Sequence, residues 1–385
     1  MPRGQIIPRK SGFTVRVFTG RDTNGKRNYK NQRVTGTKKD AQEVLTSMLR
    51  KLDTGDLLLE PTAMTLAEYL EYWLETSAKS RVSEKTFYMY SDMMRRYVCT
   101  KLGKIKLTKL EPNQIQGLYT EMQVGGLSAR TVRYTHMVLK HALKQSVKWR
   151  MASRNPADYV DLPGHQTKEA KVMDEHQVEQ FLDHAKSNRM YVYFALLLGT
   201  GMRPGEGLGL RWQDFDAIYR NLTISQAVTM VKNTPKIVKP KTKKSRRSLV
   251  LPDHLVSLLL SYKPAEAKET DLIFASQAGT PLSIKNINRR YFKPLLQDLN
   301  FGDITDNKFK PWYRLYDLRH THATMLLKAG VHPKIVSERL GHSSITLTLD
   351  TYSHVLPSMQ DEAAKKINQL MFNKLSEGEQ SIAMN

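Results

Sequence analysis

The apolar side chains of this chain repeat with period two near its start and with the helical period almost everywhere after, and that change most constrains the fold. Phe13-Thr14-Val15-Arg16-Val17-Phe18 alternates apolar and polar residues, as a half-buried strand does. Asn24-Gly25 is a hairpin-turn signal, and Arg27 to Val34 supplies a returning strand. Thr37 then caps a helix whose Ala41, Val44, Leu45, Met48 and Leu49 share one face. The first segment therefore reads as a small sheet with one helix.

From about Thr65 to Pro163 the pattern is almost wholly helical. Leu66, Tyr69, Leu70 and Trp73 follow Thr65 at helical spacing, and Ser83 caps a helix over Thr86 to Tyr97. Gln114 to Met122 and Ser128 to Trp149 complete the set. Arg95, Arg96, Arg130, Arg133, Lys140 and Lys144 lie on these helices, either as a solvated face or as grips for phosphate. Asn155-Pro156 and Leu162-Pro163-Gly164 end the run, and His165 to Lys171 is a polar linker. A third segment begins where Asp174 and Gln177 form a capping box. It is mostly helical, with a strand-like stretch from Ile218 to Leu251 in which Leu222-Thr223-Ile224 and Ser248-Leu249-Val250-Leu251 flank a very basic middle. The fold class is multidomain α+β, with domains over residues 1–60, 65–163 and 172–385.

Charge narrows the partner. Lys and Arg total 60 against 37 Asp and Glu, a net charge of +23 with pI ≈ 9.8. Through Lys51 alone there are 13 Lys and Arg against 3 Asp and Glu. Such a surplus attracts polyanions, of which nucleic acid is the commonest soluble one. The single cysteine, Cys99, excludes an internal disulfide and a thiolate zinc cluster, which suits a reducing cytoplasm. No run is long and apolar enough to span a membrane, and MPRGQIIPRKSG lacks a signal-peptide core.

Three places in the last segment combine polar residues with apolar scaffolding. The first is Thr200-Gly201-Met202-Arg203-Pro204-Gly205-Glu206, entered from the apolar helix Tyr191 to Leu198. Lys239-Pro240-Lys241-Thr242-Lys243-Lys244-Ser245-Arg246-Arg247 reads as a basic hairpin tip. The third comprises Tyr316-Asp317-Leu318-Arg319-His320-Thr321-His322-Ala323, Leu340-Gly341-His342-Ser343-Ser344 and Asp350-Thr351-Tyr352-Ser353-His354. These elements, in this order, resemble the catalytic domain of tyrosine recombinases, the integrases of temperate phages and conjugative transposons. The helical segment resembles their core-binding domain, and the N-terminal sheet with one helix resembles the arm-binding domain of the heterobivalent members.

The resemblance implies residue roles. Arg203 matches the first catalytic arginine with Glu206 its acidic neighbour, Lys241 the hairpin lysine, Arg319 the second arginine, His342 the later histidine and Tyr352 the nucleophile. One position departs: Tyr316 stands where the family usually has histidine. An unperturbed tyrosine is a poor base near neutral pH, so Tyr316 is read as positioning or packing and the general base stays open. The chemistry explains the residue types. A phosphodiester under attack gains negative charge, which two guanidinium forks and a histidine donor stabilise, while a lysine can protonate the leaving 5′ oxygen. The attacking tyrosine keeps the phosphate as a 3′-phosphotyrosyl ester, so rejoining needs neither ATP nor a metal, and no cofactor is implied.

The resemblance further implies double-stranded DNA attachment sites of core and arm type, a homotetramer on DNA, excisionase and DNA-bending accessory proteins as partners, and a cytoplasmic, nucleoid-associated location. The tail after Tyr352 carries Ala363, Ala364, Ile367, Leu370 and Met371 at helical spacing, to pack on its own domain or on a neighbouring protomer.

Other readings use the same residues. His320, His322, His332, His342 and His354 suggest a metal site, but His320 and His322 diverge on a helix and no carboxylate or thiolate joins them; they are read as structural or supporting residues. Ala329 to Val336 followed by Leu340-Gly341-His342 resembles a helix-turn-helix of a regulator, which leaves the ordered catalytic set as coincidence. A metal-dependent nuclease would need clustered carboxylates. A type IB topoisomerase shares the nucleophile logic, and Xer-type resolvases share the catalytic set, but the arm-like module favours the integrases.

Overall fold

A computed structural model describes residues 4–21, 26–53, 64–165, 171–239, 246–352 and 358–372, in two compact units, Met1–Thr167 and Lys168–Asn385. The first unit holds two separate hydrophobic clusters. One lies beneath an antiparallel sheet of order β1-β2-β3, with β1 Gly4–Arg9, β2 Gly12–Arg21 and β3 Arg27–Val34. Val15 and Val17 are fully buried against Ala41, Leu45 and Met48 of helix α1, Lys38–Asp53. The alternate residue Arg16 points the other way, over the ring of Tyr29 at 5.1 Å and bonded to Asn31 at 3.0 Å. Thr37 caps α1 by exchange with Asp40, whose Oδ2 accepts from the Thr37 amide at 2.7 Å. Strand β1 was not anticipated, because Gln5-Ile6-Ile7-Pro8 carries no alternation. The expected Asn24-Gly25 turn lies outside the described residues.

The second cluster joins helices α2 Leu66–Trp73, α3 Glu84–Met93, α4 Pro112–Val124 and α5 Ala129–Lys148 around Tyr69, Trp73, Met94, Ile115, Tyr119 and Leu139. Each buried side chain of this size contributes about 1.5–3 kcal/mol of transfer free energy. Ser83 caps α3 as expected, and Thr65 and Ser128 cap α2 and α5. Helix α3 begins two residues before the expected Thr86 and passes into a wider turn, Met94–Cys99. Arg95 and Arg96 are exposed and Lys140 is half-buried, and they pair with Glu71, Asp92 and Asp158.

The second unit is mainly helical around small sheets. Helices α6 Glu175–Ala185 and α7 Tyr191–Thr200 pack with α8 Pro204–Leu208 on a large core that includes Phe181, Tyr193, Phe194 and Leu196. Asp174 and Gln177 form their box at α6. Strands β4 Phe215–Asp216, β5 Asn221–Ile224 and β8 Arg247–Val250 make a sheet of order β4-β5-β8, while β6 Ala227–Val231 and β7 Thr234–Val238 form a hairpin. That hairpin reverses at Lys232 and Asn233, both at positive φ (47° and 65°). At the described ends of the expected basic tip, Lys239 and Arg246 are exposed, whereas Arg247 opens a strand and turns inward, a correction at that one residue. Pro240 to Ser245, with Lys241, lies outside the described residues. After α9 Asp253–Tyr262 comes an unanticipated hairpin, β9 Gly302–Thr305 and β10 Lys308–Pro311. Helices α10 Asp317–Lys328, α11 Pro333–Leu340 and α12 Ile345–Tyr352 then close around Ala323, Leu327, Val336, Leu340 and Tyr352, and α13 Ser358–Ile367 follows. Among the described residues no helix is long and apolar enough to cross a membrane.

Candidate active site

Arg203, Glu206, Tyr316, Arg319, His342 and Tyr352, all singled out above, converge at the junction of α7, α8, α10 and α12, and the turn that ends α7 brings the first of them in. Gly201 takes φ +65°, and a Cβ there would collide with the ring of His322 and with Leu340. Only glycine lets the chain pass that close to α10 and α11. Arg203 follows at once as the residue preceding α8. Its backbone N–H donates to Glu206 Oε2 at 2.9 Å and its Nη1 donates to Oε1 at 2.8 Å.

Glu206 is buried and shared. Its Oε2 also accepts from Arg247 Nη2 at 2.9 Å, and the side chains of Arg247 and Glu206 are 7% and 8% exposed. Burial alone would raise its pKa, but Arg247 and Arg203 outweigh that and hold the carboxyl below the usual range. Arg247 is anchored further by Nε donating to the Arg339 carbonyl at 2.7 Å. A Cβ on Gly341 (φ +68°) would sit 2.8 Å from Arg247 Nη1.

Arg319 lies on the first turn of α10 and is 1% exposed. One arm of its guanidinium donates to the Gly201 carbonyl at 2.9 Å, and its Nη2 is buried with no partner. Burial first, then the charge of Arg203, makes its proton easier to lose. His342, held by Nδ1 to the Thr348 hydroxyl at 2.7 Å, is pushed down to about 4 by burial and by Arg319, Arg203 and Arg247, so it is neutral near pH 7. A Thr348 hydroxyl that donates here would place the ring proton on Nε2.

Tyr352 ends α12 and is 1% exposed; burial raises its hydroxyl pKa, and Arg319 partly offsets this. Its hydroxyl meets Nδ1 of His320 at 2.8 Å. Of the two readings given to His320, structural or supporting, that contact is of the supporting kind. His322 fits the structural reading, bonding the Leu198 carbonyl through Nδ1 at 2.7 Å. Tyr316 is not a packed aromatic: it is 40% exposed, stands beside Arg203, and its ring lies edge-on to His320 at 5.3 Å between centroids.

Two residues of this site escaped the sequence. Arg247 had a signal, since strand alternation places it on the same inward face as Leu249 and Leu251. His320 had one too, lying one helical turn beyond Tyr316. Among the described residues no group of three or more His, Cys, Asp or Glu side chains is placed to hold a metal.

Residues 171–359 match the phage integrase family, and residues 65–123 match the phage integrase N-terminal SAM-like domain. A tyrosine recombinase XerC-like protein of Caldanaerobacter subterraneus subsp. tengcongensis is 28% identical, with 94% of this chain and 97% of that protein covered. A solved Tn1549 transposon integrase in complex with a circular intermediate DNA superposes with TM-score 0.66 at 22% identity, over 80% of this chain and 100% of that one. A lambda integrase tetramer bound to a Holliday junction gives 0.58 at 16% identity, over 90% and 97%. This chain belongs to the phage integrase family. It is a tyrosine recombinase, an enzyme that cleaves and rejoins DNA strands through a tyrosine nucleophile.

Proposed function

We propose that Arg203, Arg319 and His342 hold the scissile phosphate of a DNA attachment site and that Tyr352 attacks it, giving a 3′-phosphotyrosyl ester and a free 5′-hydroxyl. The observation that carries this is the charge imbalance of the pocket. Arg203, Arg247 and Arg319 surround one carboxylate, and Arg319 Nη2 is buried with nothing to bond. An unpaired buried cation costs several kcal/mol, so the pocket is organised for an anion that arrives from outside. A phosphodiester supplies one, and gains further negative charge as the attack proceeds. Lys241 is the proposed general acid for the leaving 5′ oxygen, and Tyr316 positions the phosphate beside Arg203.

In this reading residues 1–60 bind arm-type DNA, 65–163 bind core-type DNA, and 172–385 perform the chemistry. The outward Arg16, Tyr29 and Asn31 on the sheet support the first assignment, since a basic and aromatic face suits a nucleic acid. Strand exchange by four protomers integrates and excises a mobile element, with excisionase and DNA-bending proteins setting direction, in the cytoplasm on the nucleoid. Support for a trans contact comes from α13 and the turn beyond it, where Ile367, Leu370 and Met371 are exposed, Leu370 by 82%. The test is trapping on a nicked duplex spanning the ends of the element that encodes the protein. A covalent protein–DNA adduct should form, and Tyr352→Phe should abolish it; an adduct that survives this change would sink the assignment.

A further inference from the structure

Tyr316 occupies the position from which the family's histidine would act, which leaves the departure of the Tyr352 proton unexplained. Tyr316 is exposed and turned to Arg203, whose positive charge suits a hydroxyl that donates elsewhere rather than one that collects a proton. The ring that touches the nucleophile is one turn further along α10. His320 Nδ1 lies 2.8 Å from the Tyr352 hydroxyl oxygen, across 32 residues of sequence, with ring centroids 5.7 Å apart. Tyr352 is almost wholly buried, so bulk water is a poor competitor for its proton.

Resting on the assignment of Tyr352 as nucleophile, we infer that His320 is the catalytic residue that takes the proton from Tyr352 as strand cleavage proceeds. The Oη–H bond breaks and its electron pair forms the Oη–P bond, while the proton passes to Nδ1 and leaves an imidazolium. The P–O5′ bond breaks with its pair on O5′, which takes the proton held by Lys241. Rejoining reverses both transfers: the incoming 5′-hydroxyl gives up its proton, and Tyr352 departs with the one stored on His320.

The surroundings suit a ring that is neutral at rest. Burial first, then Arg319 and Arg314, lowers the pKa of His320, whereas Asp317 favours its charged form. Among the described residues, Tyr316 beside it, Tyr352 from α12 and His342 from the segment between α11 and α12 complete the titratable groups around it. A neutral ring with its proton on Nε2 presents a lone pair at Nδ1, and Asp317 offsets part of the cost once the imidazolium forms.

The experiment compares wild type, His320→Ala and His320→Asn in single-turnover cleavage of the nicked duplex, made with an ordinary phosphate and with sulfur in place of the 5′ bridging oxygen. Thiolate leaves without a proton, so the sulfur substrate removes the need for a general acid and isolates the nucleophile's side. The asparagine variant keeps an acceptor near the Nδ1 position yet cannot store a proton, so it separates positioning from proton transfer. DNA binding by gel shift should be unchanged in both variants. Cleavage should fall by about 10²-fold or more on both substrates, and the loss of rate at low pH expected of wild type should be absent from His320→Asn. Wild-type cleavage by His320→Asn, or a defect rescued by the sulfur substrate, would overturn the inference. An adduct persisting in Tyr352→Phe would instead overturn the nucleophile assignment on which it rests.

Discussion

The chain builds one local device at Arg203, Arg211 and Arg314, and the first two, neighbours in sequence, end up with opposite character. In each, an arginine sits three residues before an acid that accepts from both its backbone N–H and its guanidinium: Arg203 with Glu206, and Arg211 with Asp214. At Arg211 the match is one to one. Nε and Nη2 each meet an Asp214 oxygen at 3.0 Å, and Ser225 takes up the remaining contacts. At Arg203 the acid is divided between two arginines while a third, Arg319, stands beside them with a buried nitrogen unbonded. A neutral pair finishes a turn. A cationic surplus around a shared carboxylate leaves a place for a phosphate.

The comparison can be broken most severely at Arg319. Arg319→Ala should reduce covalent adduct formation by on the order of 10²–10³-fold, while Arg319→Lys, which keeps charge but not the fork, should recover only part of it. Equal adduct yields from all three proteins would mean that the surplus charge is unrelated to chemistry.

Glu206→Gln comes next, and its effect is on the fold. It leaves Arg203 and Arg247 without a counter-charge, and breaking a buried pair in this way costs about 3–5 kcal/mol. Thermal melts should show a large fall in Tm, partly restored by sulfate or by a DNA duplex, because either anion replaces the missing charge. Asp214→Asn should cost less, about 1–3 kcal/mol for the unsatisfied arginine. Its Tm should be indifferent to added anion, and its cleavage rate below melting should match wild type. Anion rescue of Asp214→Asn would erase the distinction between the two copies.

The smallest effect is on pH dependence. His342 and His322 are both pushed down to about 4, burial being the first cause in each. A histidine near 6.5 when unfolded and near 4 when folded takes up its proton earlier in the unfolded chain. Its contribution to stability is therefore present above about pH 6.5 and drains away as pH falls toward 4. Tm of the DNA-free protein should decline across that window. His322→Gln should flatten the decline, and an unaltered slope would show that His322 does not contribute to it.

Much of the candidate site was legible because its residues are tied to local signals. Thr200-Gly201-Met202-Arg203 closes an apolar helix, and Leu340-Gly341-His342 ends another in a left-handed glycine. Such features depend on contacts within about one helical turn, which sequence order records directly. Arg247 was misread because a run of basic residues looks solvated until strand register turns one of them inward. His320 was set aside because a histidine two residues from another is judged by its helix neighbours, and its decisive partner lies on a different helix.

The sequence by itself therefore determined the caps, the change from period two to helical period, and the order Arg203, Lys241, Arg319, His342 and Tyr352. Each follows from near-neighbour stereochemistry or from an ordered set of residue types. The tertiary structure alone decided that one carboxylate serves Arg203 and Arg247 across 41 residues, that Arg319 keeps a buried nitrogen unbonded, and that the Tyr352 hydroxyl rests on His320. Those are outcomes of packing, since counting the partners of a buried polar group requires every element around it to be in place.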